Sequence, residues 1–143
     1  MEMQINMWAV LVAVVANFFF GFLWYTVLFG KAWAVEMGFD TTVKPPAGAM
    51  VKGMVIMVIG NFLMAYVFAH NMAAWTYVTG YDTMNAMSNI ISASVFTWLG
   101  FYVPTDLGVV AWEKKTWKLF FINTIYHLIM LIIAAVILYY MKP

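Results

Sequence analysis

Few residues able to do chemistry lie inside the long apolar stretches of this chain, and their types narrow the choice. Histidine is the side chain that ordinarily changes charge near neutral pH, which makes His127 a candidate proton relay. An ionisable group set in membrane-spanning sequence is a functional candidate by default. Around it in the apolar stretches are the amides Asn17, Asn61 and Asn123 and the hydroxyl of Thr97. A second group, Asn85, Ser88, Asn89 and Ser92, recurs at helical spacing. No acid accompanies His127 in sequence, which argues against a catalytic pair. Asp106, two residues after Pro104, is expected near the lysine-rich end of its helix, paired with Lys31 or Lys114. His70 lies near the opposite face from those lysines, about 15 Å from His127 in depth, so the two histidines cannot share a metal ion. No phosphate-binding glycine loop, nucleophile–base pair or metal-ligand spacing occurs, so no cofactor, no metal and no enzymatic role are expected. There is no cysteine and no arginine, and the net charge is +1. Thiol chemistry, bidentate phosphate clamps and nucleic-acid binding therefore have no support.

The elements that must hold these groups follow from composition. The chain has 143 residues, 66% of them hydrophobic and 9% charged, where a soluble domain carries about 25% charged residues. So few charges cannot cover a soluble surface, and the outer face must meet lipid. A membrane span needs about 20 mostly apolar residues. Four stretches qualify, at 7–29, 50–70, 86–109 and 118–140. The expected fold is all-α: an integral membrane four-helix bundle, antiparallel, forming a single domain over residues 1–143. The first apolar run lacks a basic leader and is too long for a cleaved signal. Alternation of period two, which a β-barrel requires, is absent.

Counting along the helices places the polar groups by depth. Asn17, Asn61 and His127 each lie about 14–17 Å from the face at which their helix enters, which is the bilayer midplane. Thr97 falls at the same level and Asn123 one turn from His127, so these five are expected to form one interhelical polar layer. Small residues recur every four positions in the first span (Ala9, Ala13, Asn17, Gly21) and, broken only by Met57, in the second (Ala49, Gly53, Asn61, Ala65, Ala69), marking the faces that meet other helices. The stripe Asn85, Ser88, Asn89, Ser92 must look toward water or a partner subunit. Six of the seven lysines flank the first and third loops, which predicts that those loops face the cytoplasm and both termini face out. Lys31, Trp33, Asp106 and Trp112 are expected at that inner interface.

Residues 20–33 aligned without gaps on 99–112 match at glycine, phenylalanine, threonine, leucine, alanine and tryptophan, a pattern consistent with parallel repeats. The pattern Asn17-x3-Gly21-x2-Trp24-Tyr25-x3-Phe29-Gly30-Lys31-x-Trp33, with Trp98-x-Gly100-Phe101-x2-Pro104 and Tyr126-x-Leu128, resembles the domain of unknown function 1761 family. The resemblance covers nearly the whole chain. It implies a four-span protein of the bacterial inner membrane and brings no activity, ligand or catalytic residue with it. The residues themselves support a structural or accessory membrane protein, a homo-oligomer with a midplane polar layer and the lipid bilayer as its surroundings. The alternative is a small channel or transporter passing a proton, ion or small solute past His127 and the polar face of the third helix.

Overall fold

A computed structural model describes residues 3–143. The first helix, α1 (Met7–Phe22), starts at Asn6, whose Oδ1 accepts from the backbone N–H groups of Trp8 and Ala9. Those donors would otherwise lack partners at the helix start. A π-helical segment, Leu23–Leu28, continues α1. A short helix, α2 (Gly30–Met37), follows and stops at Gly38, which takes a left-handed conformation that glycine adopts without strain. Then come α3 (Ala47–Trp75), α4 (Ala86–Thr97), a second π-helical segment at Trp98–Tyr102, α5 (Val103–Trp112) and α6 (Trp117–Tyr140). No strand occurs among the described residues. Four helical stretches are long and apolar enough to cross a membrane: Met7–Leu28, Ala47–Trp75, Ala86–Trp112 and Trp117–Tyr140. The protein is a multi-pass, all-α membrane bundle.

The core is organised around α6. Its Leu131, Ala134 and Ala135 are wholly shielded, and α1, α3, α4 and α5 all pack on it. Ala9 and Ala13 let α1 approach closely, and Ala65 and Ala69 do the same for α3. Such close approach matters because, in lipid, helices associate by packing and hydrogen bonds rather than by burying apolar area. Asn6 ties the chain ends, its Nδ2 donating to Met141 O at 2.7 Å. The α3 helix leaves the bundle halfway along, and every residue from 47 to 60 is exposed. Beyond that point α3 and the α4–α5 span each pack on α6 and scarcely on one another, which opens a lateral groove between them.

The two π-helical segments have a common construction. In the first, Phe29 N donates to Trp24 O at 2.8 Å; in the second, Val103 N donates to Trp98 O. Each bond spans five residues instead of four, so the following side chains are turned out of α-helical register. Pro104 accounts for the second segment, because it has no N–H to offer the preceding turn. Thr105 Oγ1 donates to Phe101 O and satisfies a carbonyl there. Gly30 accounts for the first: a Cβ there would stand 2.7 Å from Tyr25 O. The tryptophans also play the same part outward. Trp24 Nε1 donates to Ile122 O at 3.1 Å, and Trp98 Nε1 to Thr124 O at 2.8 Å, so the two spans are pinned to α6 from either side. This likeness pairs Trp24 with Trp98, whereas the gapless sequence alignment pairs Trp24 with Val103.

Candidate functional site

His127 and Asp106 form a pair. His127 Nδ1 lies 2.9 Å from Asp106 Oδ2, and Asp106 is only 7% exposed. Asp106 was expected to pair with Lys31 or Lys114 and His127 to lack an acid; both expectations are corrected, because the two side chains pair with each other. The reason lies in helix geometry. Side chains lean toward the N-terminus of their own helix. Asp106 and His127 sit on antiparallel neighbours at different levels, so each leans toward the other. A neutral ring that donates from Nδ1 to the carboxylate leaves its Nε2 lone pair free. Tyr102 covers one side of the imidazole, with ring centroids 4.6 Å apart, and Tyr126 meets it edge-on at 5.5 Å.

The pair lines the lateral groove. One cleft of about 480 Å³ contains Asp106, His127 and Thr105 with Met64, Phe68 and Leu131. A second, of about 360 Å³, continues past Asn89 and Ser92 to Trp75 and Tyr81. Asn71, Thr97 and Phe101 belong to both, so the clefts are contiguous. At the far end of the groove, burial pushes the Tyr81 phenol above its ordinary range, with Tyr139 and Asp82 adding to the shift. Among the described residues no group of three or more histidine and acidic side chains is placed to hold a metal ion.

The midplane residues divide into three sets. His127 pairs with Asp106, and Thr97 lines the groove beside it. Asn123 Oδ1 accepts from Tyr25 Oη at 2.9 Å. Asn17 and Asn61 are buried, and neither bonds to His127 or to the other. On the third span, Asn85 caps α4, its Oδ1 accepting from Ser88 N at 2.8 Å. Asn89 is buried and donates to Met84 O, while Ser92 is half-buried in the groove. Lys31 is exposed, Trp112 is 88% exposed, and Trp33 is half-buried against Tyr25 and Phe39.

Gly21, Trp24, Tyr25, Gly30, Trp98, Pro104 and Tyr126 thus all bear on how the first and third spans meet α6. The sequence profile of the family described as "Protein of unknown function (DUF1761)" matches residues 8–139. The chain belongs to this family. No curated protein and no solved structure matches it.

In this DUF1761 chain several site residues escape sequence reasoning. Tyr25, Tyr102 and Tyr126 count as apolar or interfacial by composition, yet they surround Asn123 and His127. Thr124 Oγ1 accepts a second contact from Trp98 Nε1 at 3.0 Å. One signal was present: Trp98 is out of place for an interfacial belt, because it falls in the middle of a span.

Proposed function

We propose that this protein passes a proton or small solute along the α3–α5 groove, with His127 as the group that takes up and releases the proton. The observation that supports this reading is the Asp106–His127 pair lining a continuous cleft that also passes Asn89, Ser92 and Thr97. A purely structural polar layer would be dry and mutually paired. Here the imidazole is instead oriented by a carboxylate and opens onto the groove. The family resemblance supports a bacterial inner membrane as its location, and the lysine distribution supports insertion with both termini outside. The test is proton flux in liposomes containing the purified chain. His127→Gln is expected to reduce flux at least tenfold, and Thr97→Phe, which narrows the groove where its two clefts join, to reduce it comparably. Flux unchanged in both variants would refute the reading.

A homo-oligomer is a second reading, supported by a separate observation. Asn71 is exposed along the groove, and lipid chains cannot satisfy its amide. A second copy laid across α3 and the α4–α5 span would close the groove on its open side. Crosslinking in native membranes is expected to give a discrete ladder, and a strictly monomeric particle would exclude this reading.

A further inference from the structure

Four buried side-chain atoms lack a hydrogen-bond partner among the described residues: Nδ2 and Oδ1 of Asn17, Nδ2 of Asn61 and Oη of Tyr126. The three residues are 0%, 5% and 3% exposed and come from α1, α3 and α6. An amide buried with neither its hydrogens nor its oxygen bonded is costly, and native interiors almost always satisfy such groups.

Helix register brings the three to one level. A Cβ on Gly21 would stand 2.9 Å from Tyr126 Oη, so the phenol points at α1 beside Gly21. Asn17 lies one turn away on the same ridge. Ala9 lines one cleft with Ala69 and Met72, and that antiparallel register carries Asn61 opposite the stretch from Asn17 to Gly21. Why, then, is there no direct bond? The lean that joins Asp106 to His127 works the other way here. Asn17 leans toward the start of α1, while Asn61 and Tyr126 lean in the opposite sense on antiparallel helices. The polar ends are thereby drawn apart along the bundle axis and do not reach one another directly.

The chemistry of the set decides what it takes. Three of the orphaned atoms can donate (Asn17 Nδ2, Asn61 Nδ2, Tyr126 Oη), and Asn17 Oδ1 can only accept. A halide would suit the donors but leave Oδ1 unpaired and bring an uncompensated charge into a low-dielectric interior. A metal cation would find too few oxygens. The ligand must be neutral, small, and both donor and acceptor. We propose that Asn17, Asn61 and Tyr126 hold a buried water molecule that joins α1, α3 and α6. Buried waters typically make about three hydrogen bonds to otherwise unsatisfied groups, which these residues can supply. The midplane contacts of Asn17 and Asn61 then run through solvent, independently of the His127–Asp106 pair.

The test uses the full chain in lipid bilayers with nitrogen-15 asparagine. Proton-detected solid-state spectra are expected to show transfer from water to the side-chain amides of both Asn17 and Asn61. In Asn17→Leu the Asn61 transfer should disappear, and the thermal midpoint should fall by about 3 °C or more. If Asn17→Leu does not fold, Tyr126→Phe, which removes only an oxygen, should weaken both transfers. No water transfer in the parent chain would overturn the proposal. So would an Asn61 signal that survives in both variants, or a midpoint that rises in Asn17→Leu, since removing a dry orphaned amide would stabilise the bundle.

Discussion

At the scale of single residues, the decisive contact is the one between Asp106 and His127. A hydrogen bond to a charged partner in a shielded setting is worth more than a neutral one, and removing one member leaves the other unsatisfied. Asp106→Asn keeps the size but replaces the acceptor with a group that can also donate. The ring can then carry its proton on Nε2 instead of Nδ1. We expect this variant to lose about 1–3 kcal/mol of stability, read as a lower unfolding midpoint in detergent. Asp82→Asn, on the exposed 81–83 turn and outside the groove-lining set, is expected to leave the midpoint unchanged. Equal behaviour of the two would mean that the pair contributes nothing. The pair was not legible in sequence because depth was counted along each backbone, while the side chains lean about a turn's height in opposite directions. Asn17 and Asn61 are buried, but the same lean keeps them from bonding as a direct layer would require.

At the scale of elements, the bundle depends on two spans that change helical pitch before they leave the membrane. Hydropathy identifies a span well because it needs only composition, and all four long helices carry that signal. It is blind to a π-helical segment, which depends on where one glycine or proline falls. Gly30 and Pro104 do mark those places, though sequence alone reads them as a helix end and a kink. The glycines give a clean contrast. Gly30→Ala must displace backbone, since the new Cβ meets Tyr25 O at 2.7 Å, whereas Gly53 and Gly100 look into open space. We therefore expect Gly30→Ala to destabilise by about 1–3 kcal/mol, the usual range for strain that a fold cannot relieve. Gly53→Ala and Gly100→Ala should be neutral or slightly stabilising, because alanine favours the helix. Thermal unfolding of the three in one detergent decides it. A Gly30→Ala protein as stable as the parent would show that the π-helical segment can revert to α without loss.

At the scale of the whole molecule, asymmetry is the main property: one end carries the lysines and the other the chain termini. Lys31, Lys44, Lys52, Lys114, Lys115 and Lys118 border the α1–α3 and α5–α6 connections, against Lys142 alone on the other side. Some of this charge is neutralised within the fold. Glu36 lies 3.6 Å from Lys118 Nζ and accepts a hydrogen bond from Thr116 Oγ1. Lys118 is 61% exposed in that contact, so it remains available to headgroups, and its ion pair adds little to stability. Lys142 is also partly occupied, its Nζ sitting 4.6 Å from the centre of the Tyr139 ring. The difference between the faces therefore survives folding, and from the positive-inside rule we expect the lysine-rich face toward the cytoplasm. Because the parent has no cysteine, single reporters can be placed without background. Thr79→Cys lies on the terminus side, in the exposed connection between α3 and α4, and Lys115→Cys in the short turn before α6. In intact cells a membrane-impermeant maleimide is expected to label Thr79→Cys at once and Lys115→Cys only after lysis. The reverse pattern would place the termini inside, and with them the Tyr81 end of the groove. A proton taken up by His127 would then enter from the opposite compartment, so the labelling result also sets the direction in which flux must be measured.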